Sequence, residues 1–346
     1  MINRIQAGEL LRRSEIAESF LAVLEVSTEG ADVAWGALLG ALQARGPTLG
    51  EVLGLVDAVL RFDPELADQL DAPVDLGVER RVVAIAGSGK ETFKTFNVST
   101  AAAFVAAGHP DVCVVKPAGR ATSAVTGASD VLAELGVRPA RALSDLPRLA
   151  EQSSVCVFDY HHVAPRYGPR YEGRFHHLHP LSHVTPWMFV PIRTDGLVFG
   201  VADARVGLAA SVIAMSGPER AAVVSTAVPP FGRIDELAPF GETELALVYK
   251  GAVERRAFPR PVPGDLSSIA QRPTNHANAE LLLDVLSGRA PELALELVVE
   301  NAAIVLHVAG VVDDLDGARA TARELLASGA PLAQLAACRQ ASQEVQ

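Results

Sequence analysis

Residues 84–100 read AIAGSGKETFKTFNVST. A short apolar run breaks at Gly87-Ser88-Gly89, presents Lys90 and Glu91, and closes on Asn97-Val98-Ser99-Thr100 ahead of the alanine-rich AAAFVAAG. Glycines at 87 and 89 allow positive φ and close backbone approach. Ser99 or Thr100 can cap the helix that follows, and the N–H groups at a helix start attract anions. A strand feeding a helix through such a turn is the unit of a parallel, helix-covered sheet. The turn alone is also an ordinary α/β connection. What it leaves to explain is a lysine and a glutamate where backbone should come closest to a ligand.

The pattern on either side extends that unit. Apolar, β-rich runs recur at 82–86 (VVAIA), 112–115 (VCVV), 154–158 (SVCVF), 197–201 (LVFGV), 221–227 (AAVVSTA) and 245–250 (LALVYK). Helical spacing fills 99–108, 123–135, 203–216, 275–288, 292–309 and 313–327. Residues 1–62 are helical throughout, with Ile5, Leu10, Leu11, Ile16, Phe20, Leu21 and Leu24 at helical intervals. The stretch 160–195, rich in His, Pro and aromatics, interrupts the alternation. The expectation is a small all-helical domain, 1–74 with a return segment at about 165–192. A large α/β domain, 75–164 and 193–346, carries a mostly parallel central sheet flanked by helices. The final ASQEVQ is expected to fray.

Composition narrows the function classes. The 346 residues are 49% hydrophobic and 21% charged, with a net charge of −11. That acidity argues against nucleic acid and anionic membrane surfaces as partners. No apolar run approaches membrane-spanning length and the N-terminus has no apolar signal core, so a cytoplasmic protein is expected. Cys113 and Cys156 lie in apolar runs and Cys338 stands apart, the pattern of buried, reduced thiols.

Three further clusters bear on chemistry. Lys116-Pro117-Ala118-Gly119-Arg120 follows the second strand and leads through Ser123 into TGASDVLAELGV. Asp235-Glu236 sits in a loop after a strand, where paired carboxylates serve Mg²⁺ or are merely solvated turn charge. Six of the nine histidines (161, 162, 176, 177, 179 and 183) crowd one segment with Tyr160, Tyr167, Tyr171 and Trp187. Their irregular spacing, without cysteine, speaks against zinc. A polar surface and a ligand pocket both remain open.

In its N-terminal helices, glycine loop, TFNVSTAAAFVAAG, Lys–Arg loop and Asp-Glu-Leu loop, the chain resembles the anthranilate phosphoribosyltransferase family over nearly its whole length. The resemblance implies that Gly87, Ser88, Gly89, Lys90, Glu91, Thr95, Asn97, Ser99, Thr100, Lys116, Arg120 and Ser123 bind phosphoribosyl pyrophosphate (PRPP). It also implies that Ser99, Asp235 and Glu236 hold Mg²⁺. The family's glycine loop reads Gly-Thr-Gly-Gly-Asp, so Lys90 replaces a glycine and Glu91 an aspartate. Retention of Asp235 and Glu236 favours Lys90 as an added cation for pyrophosphate.

The acceptor side departs further. His and Asn of the family's Lys-His-Gly-Asn-Arg become Pro117 and Gly119, its His-Pro becomes Gly168-Pro169, and its paired arginines become Leu178-His179. Losing a bidentate arginine from a carboxylate site is not conservative. The expected acceptor is therefore an aromatic or heteroaromatic other than anthranilate, in a specialised pathway. Pro117, Gly119, Gly168, Leu178 and His179 are expected to bind it, with His179, His177 or His176 as hydrogen-bonding partner or base. The resemblance also implies a homodimer through the helical domain, where Leu10, Phe20, Leu21, Leu38 and Leu39 serve either the interface or the interior. A nucleoside phosphorylase-like reaction and a non-catalytic, nucleic-acid-binding relative are the alternatives.

Overall fold

The computed structural model describes residues 1–26, 29–121, 124–171 and 174–344. Among the described residues eight strands form one sheet: β1 Arg81–Gly87, β2 Val112–Ala118, β3 Val155–Asp159, β4 Gly196–Gly200, β5 Arg220–Ala227, β6 Arg233–Ile234, β7 Gly241–Tyr249 and β8 Ala252–Arg260. Their order is β3-β2-β1-β4-β5-β7-β8, with β6 against β5. The pairs from β3 to β5 are parallel, whereas β7 and β8 run antiparallel. Continuous Val, Ala, Ile and Cys runs suit the five parallel strands because helices or loops cover both faces. The sequence pattern did not reveal β8. Its AVERRAFPR is almost wholly exposed and carries no apolar alternation. A two-residue turn, Lys250-Gly251, both at positive φ, brings it back beside β7.

The expected helices appear at Val98–Ala106, Ala128–Glu134, Val206–Ser216, Asn275–Leu286, Glu292–Ala309 and Leu315–Ala327. The C-terminal residues do not fray at 341, as expected, but continue a helix, Ala330–Glu344, that buries Ala341 and Ser342. The N-terminal helical domain comprises Ile2–Gln6, Arg13–Glu25, Glu29–Arg45, Leu49–Phe62 and Pro64–Asp71. Phe20, Leu38 and Leu39 are buried within the single chain, so the interior takes them. Between β3 and β4, the described residues of 160–188 form only short turns of helix, because prolines at 165, 169, 180 and 186 interrupt them. Asp63 secures this segment to the helices: its Oδ2 accepts the N–H groups of Arg166 and Tyr167, both at 2.8 Å. Trp35 stacks on Tyr167 at 6.3 Å between ring centroids.

The strand order positions the site. From β1 the chain steps outward to β2 and β3, then returns to lay β4 and β5 on β1's other side. Connections therefore leave β1 and β4 in opposite directions, which opens a crevice at their C-terminal ends. Gly87 and Gly200 are register partners at that edge. A Cβ at Gly200 would lie 1.8 Å from the Asp235 carbonyl oxygen, and one at Gly87 would lie 2.9 Å from Asp235 Oδ2. Two bare strand ends thus let the Asp235-Glu236 loop fold directly over the crevice. Among the described residues no helix is long and apolar enough to cross a membrane.

Candidate active site

A cleft with about 1070 Å³ of empty space, open mouth included, lies over these strand ends. All the donor-side residues singled out in the sequence face it, except Ser123, which lies outside the described residues. The glycine loop leaves β1, Asn97 to Thr100 open the helix Val98–Ala106, Lys116 lies near the end of β2, and Asp235-Glu236 arrive from beyond β5. The sequence separates these groups by up to 149 positions; the switch point collects them.

The carboxylates are crowded. Asp235 Oδ2 accepts Ser88 Oγ at 3.1 Å and the Gly89 N–H at 2.9 Å. Glu236 Oε1 accepts Thr95 Oγ1 at 2.7 Å, while its Oε2 is buried without a hydrogen-bond partner. Burial first, then the neighbouring Asp235 and Glu91, holds the Glu236 carboxyl well above the usual range. Burial and Asp235 likewise push Glu91 up to about 7, against the pull of Lys94 at 3.4 Å. Glu91 Oε2 and Asn97 Oδ1 are also buried without hydrogen-bond partners. Among the described residues no three His, Cys, Asp or Glu side chains form a ready-made metal cage. Two carboxylates and a serine suit Mg²⁺, which takes few protein oxygens and completes its shell with water and substrate phosphates. The oxygens left without donors, and the acids raised by one another's charge, fit that ion.

Two lysines line the cleft. Lys116 is buried and its Nζ donates to Ser99 Oγ at 2.9 Å. Burial lowers it to about 8, with Asp235 opposing, so it remains mostly cationic near neutrality. Lys90 is also buried, yet its Nζ donates to the Phe175 carbonyl at 2.5 Å and sits 5.8 Å from the centre of the Tyr171 ring. It thus bridges the glycine loop to the segment between β3 and β4, a placement the sequence did not suggest.

The remaining wall is aromatic. Tyr160, Tyr171, Thr185 and Phe189 line the cleft with Pro117 and Gly119. Tyr160 and Phe189 stack almost parallel, 5.3 Å apart at 3°. A Cβ at Gly119 would lie 2.4 Å from Tyr160 Cε1, so the glycine makes room for the tyrosine. Thr185 Oγ1 donates to Tyr171 Oη at 3.2 Å, and that hydroxyl lies 3.3 Å from His179 Nε2. Burial, then Lys90 and His183, pushes the His179 imidazole down to about 3, so it is neutral. His176, His177, Leu178 and His179 line a separate cavity beside Trp35 and Leu39, and Gly168 is buried in the short helix Gly168–Tyr171; none of the five lines the cleft. The sequence named Tyr160 and Tyr171 without a specific role and missed Phe189, an apolar residue with no local signal.

This architecture, with a phosphate-ready crevice and an acidic loop across it, defines a glycosyl transferase of the phosphoribosyltransferase type. Residues 79–332 match the model of the glycosyl transferase family, a/b domain. The chain is 33% identical to anthranilate phosphoribosyltransferase from Anaeromyxobacter dehalogenans, covering 95% of this chain and 94% of that one. Identity to the enzyme from a Synechococcus species is 32%, over 93% and 92%. The crystal structure of anthranilate phosphoribosyltransferase from Thermus thermophilus superimposes with a TM-score of 0.72 at 25% identity, covering 99% of both chains. The Saccharomyces cerevisiae enzyme in complex with PRPP and Mg gives 0.75 at 21% identity, over 96% and 94%. The chain belongs to the anthranilate phosphoribosyltransferase family.

Proposed function

We propose that this chain transfers the 5-phosphoribosyl group of PRPP to an aromatic or heteroaromatic acceptor other than anthranilate, between a helical lobe (1–74 with 165–192) and an α/β lobe. The observation that carries the reading is a contrast between two cavities. Ser99, Lys116, Asp235 and Glu236 converge on the donor side of the cleft, while Leu178 and His179, which stand where the family has paired arginines, open into a different cavity.

Mg²⁺, held by Ser99, Asp235 and Glu236, would neutralise the departing pyrophosphate. The N-terminus of the helix Val98–Ala106, with Lys116 and Arg120, orients the phosphates. Displacement at the anomeric carbon requires positioning and charge stabilisation more than covalent help. Pro117, Tyr160 and Phe189 present an apolar surface on which a flat ring can lie while water is kept from the reacting carbon. We also propose a homodimer through the helical lobe, where Leu10, Val26 and Val33 stay exposed, to be checked by sedimentation. Complementation of a tryptophan auxotroph tests the acceptor: this chain is expected to give no growth where an ordinary family member does, and robust growth would overturn the reading.

A further inference from the structure

We propose that a groove beside the cleft is a second anion site, and that it takes a small molecule bearing a chain of phosphates, such as a nucleoside triphosphate. The inference goes beyond phosphoribosyl transfer and rests on that reading only for the part Arg120 plays in the cleft. The groove has about 2340 Å³ of empty space, open mouth included, and Arg120, Arg138 and Arg141 all line it. These three side chains are exposed, and none makes a hydrogen bond, ion pair or ring contact among the described residues. Of the other arginines only Arg339 shares that state among the described residues. Its Cδ lies 3.1 Å from where a Cβ at Gly136 would sit, two positions before Arg138. In a chain of net charge −11 whose other arginines are partnered, the free guanidiniums thus collect about one groove.

The acids of the groove do not take up that charge. Asp130 Oδ2 accepts the N–H groups of Ala121 at 2.8 Å and Gly127 at 2.9 Å. Asp159 Oδ1 accepts the His161 N–H at 3.0 Å, and its Oδ2 lies 3.6 Å from His162 Nδ1. The stretch that carries Arg138 and Arg141 is tied down before any ligand arrives. Between them, Ala140 donates its N–H to the Val157 carbonyl and accepts the Asp159 N–H, both at 2.9 Å. A lining fixed in advance spends less on ordering when it binds. Guanidinium forks match phosphate oxygens two at a time. Ala133, Val137 and Pro139 add apolar lining for the rest of the molecule. The overall charge of −11 opposes a long nucleic acid more than a small anion. Arg120 and Ala121 line both the groove and the cleft. A phosphate that takes Arg120 in the groove withdraws it from PRPP, so the two ligands oppose each other, and by linkage equally in both directions.

The test is calorimetric titration of ATP, AMP and adenosine into the full chain in EDTA, which keeps Mg²⁺ from the acids of the cleft. The wild-type chain is expected to bind ATP at least tenfold more tightly than AMP or adenosine. The double variant Arg138→Gln/Arg141→Gln should lose at least tenfold in ATP affinity. It should still bind Mg²⁺–pyrophosphate within threefold of wild type, since neither residue lines the cleft. With Mg²⁺ present, saturating ATP should weaken pyrophosphate binding at least threefold in the wild type and leave the double variant unaffected. No preference for ATP over AMP overturns the proposal, and so does a double variant that keeps its ATP affinity. A single-stranded oligonucleotide that binds more tightly than ATP would overturn it in favour of nucleic acid. Pyrophosphate affinity that ATP leaves unchanged overturns the shared role of Arg120. A wild type that binds ATP in this way but never Mg²⁺–pyrophosphate would instead overturn the phosphoribosyl-transfer reading and leave the groove standing.

Discussion

The two sides of the cleft, which we assign to donor and acceptor, are built by different means. The donor side hangs on strand ends and one helix start: Gly87 and Gly200 are register partners, and the Asp235-Glu236 loop closes on them. The acceptor side hangs on side chains from the described residues of 160–189, short turns held together by ring contacts and the Asp63 bonds. Backbone geometry fixed by sheet register tolerates little change. Side chains on short turns can be exchanged without moving the sheet. One fold can thus keep a donor and change an acceptor.

That contrast breaks most severely at the acids. Glu236→Gln should reduce kcat by about 10²–10³-fold, the scale for losing one preorganised electrostatic contact, measured by pyrophosphate release. The same variant should be no less stable than wild type without Mg²⁺ at pH 7. The folded chain raises this carboxyl, so its ionised form weakens the fold above about pH 4.5, and Gln removes that cost while still accepting from Thr95. Loss of activity together with several degrees of melting temperature would mean a structural role instead.

On the other side, Gly119→Ala pushes a methyl into the Tyr160 ring. Overpacking of this kind costs about 1–3 kcal/mol. The acceptor KM should rise roughly tenfold with PRPP affinity unchanged, and adding Tyr160→Ala should recover stability but not acceptor binding. Equal effects on both substrates would show that the two halves are not separable. The smallest effect concerns His179. Its folded pKa of about 3 lies below the ordinary 6.5, so the unfolded chain binds a proton that the native chain refuses. Stability from this group is complete above pH 6.5 and drains as pH falls towards 3, by up to about 2 kcal/mol between pH 7 and 5. Urea unfolding at both pH values should show His179→Gln flattening the pH dependence by that amount.

Local pattern was enough to read the parallel core; the expected donor residues came from the family resemblance, and the fold gathers the described ones along one cleft. Valine- and alanine-rich runs announced the strands, and the Thr95–Thr100 stretch announced the helix start. The acceptor wall was not legible in the same way. Phe189 carries no signal of its own, and Tyr160 matters because Gly119, 41 positions earlier, leaves it room. The histidine cluster drew attention by its density, yet His176 and His177 are exposed and His179 stands behind Tyr171. Periodicity cannot say which face of a proline-broken segment meets a cleft. Nor could it show that the Lys90 side chain crosses the cleft, since only the folded chain brings Phe175 beside it.

The central claim is a retained Mg²⁺–PRPP donor site paired with a changed acceptor, and pyrophosphate release tests both halves at once. The purified chain with PRPP and Mg²⁺ should release pyrophosphate at an enzymic rate with at least one member of a panel of aromatic and heteroaromatic acceptors. With anthranilate it should stay at the acceptor-free background, and EDTA should silence every reaction. Turnover with anthranilate at a rate matching an ordinary family member would contradict the account.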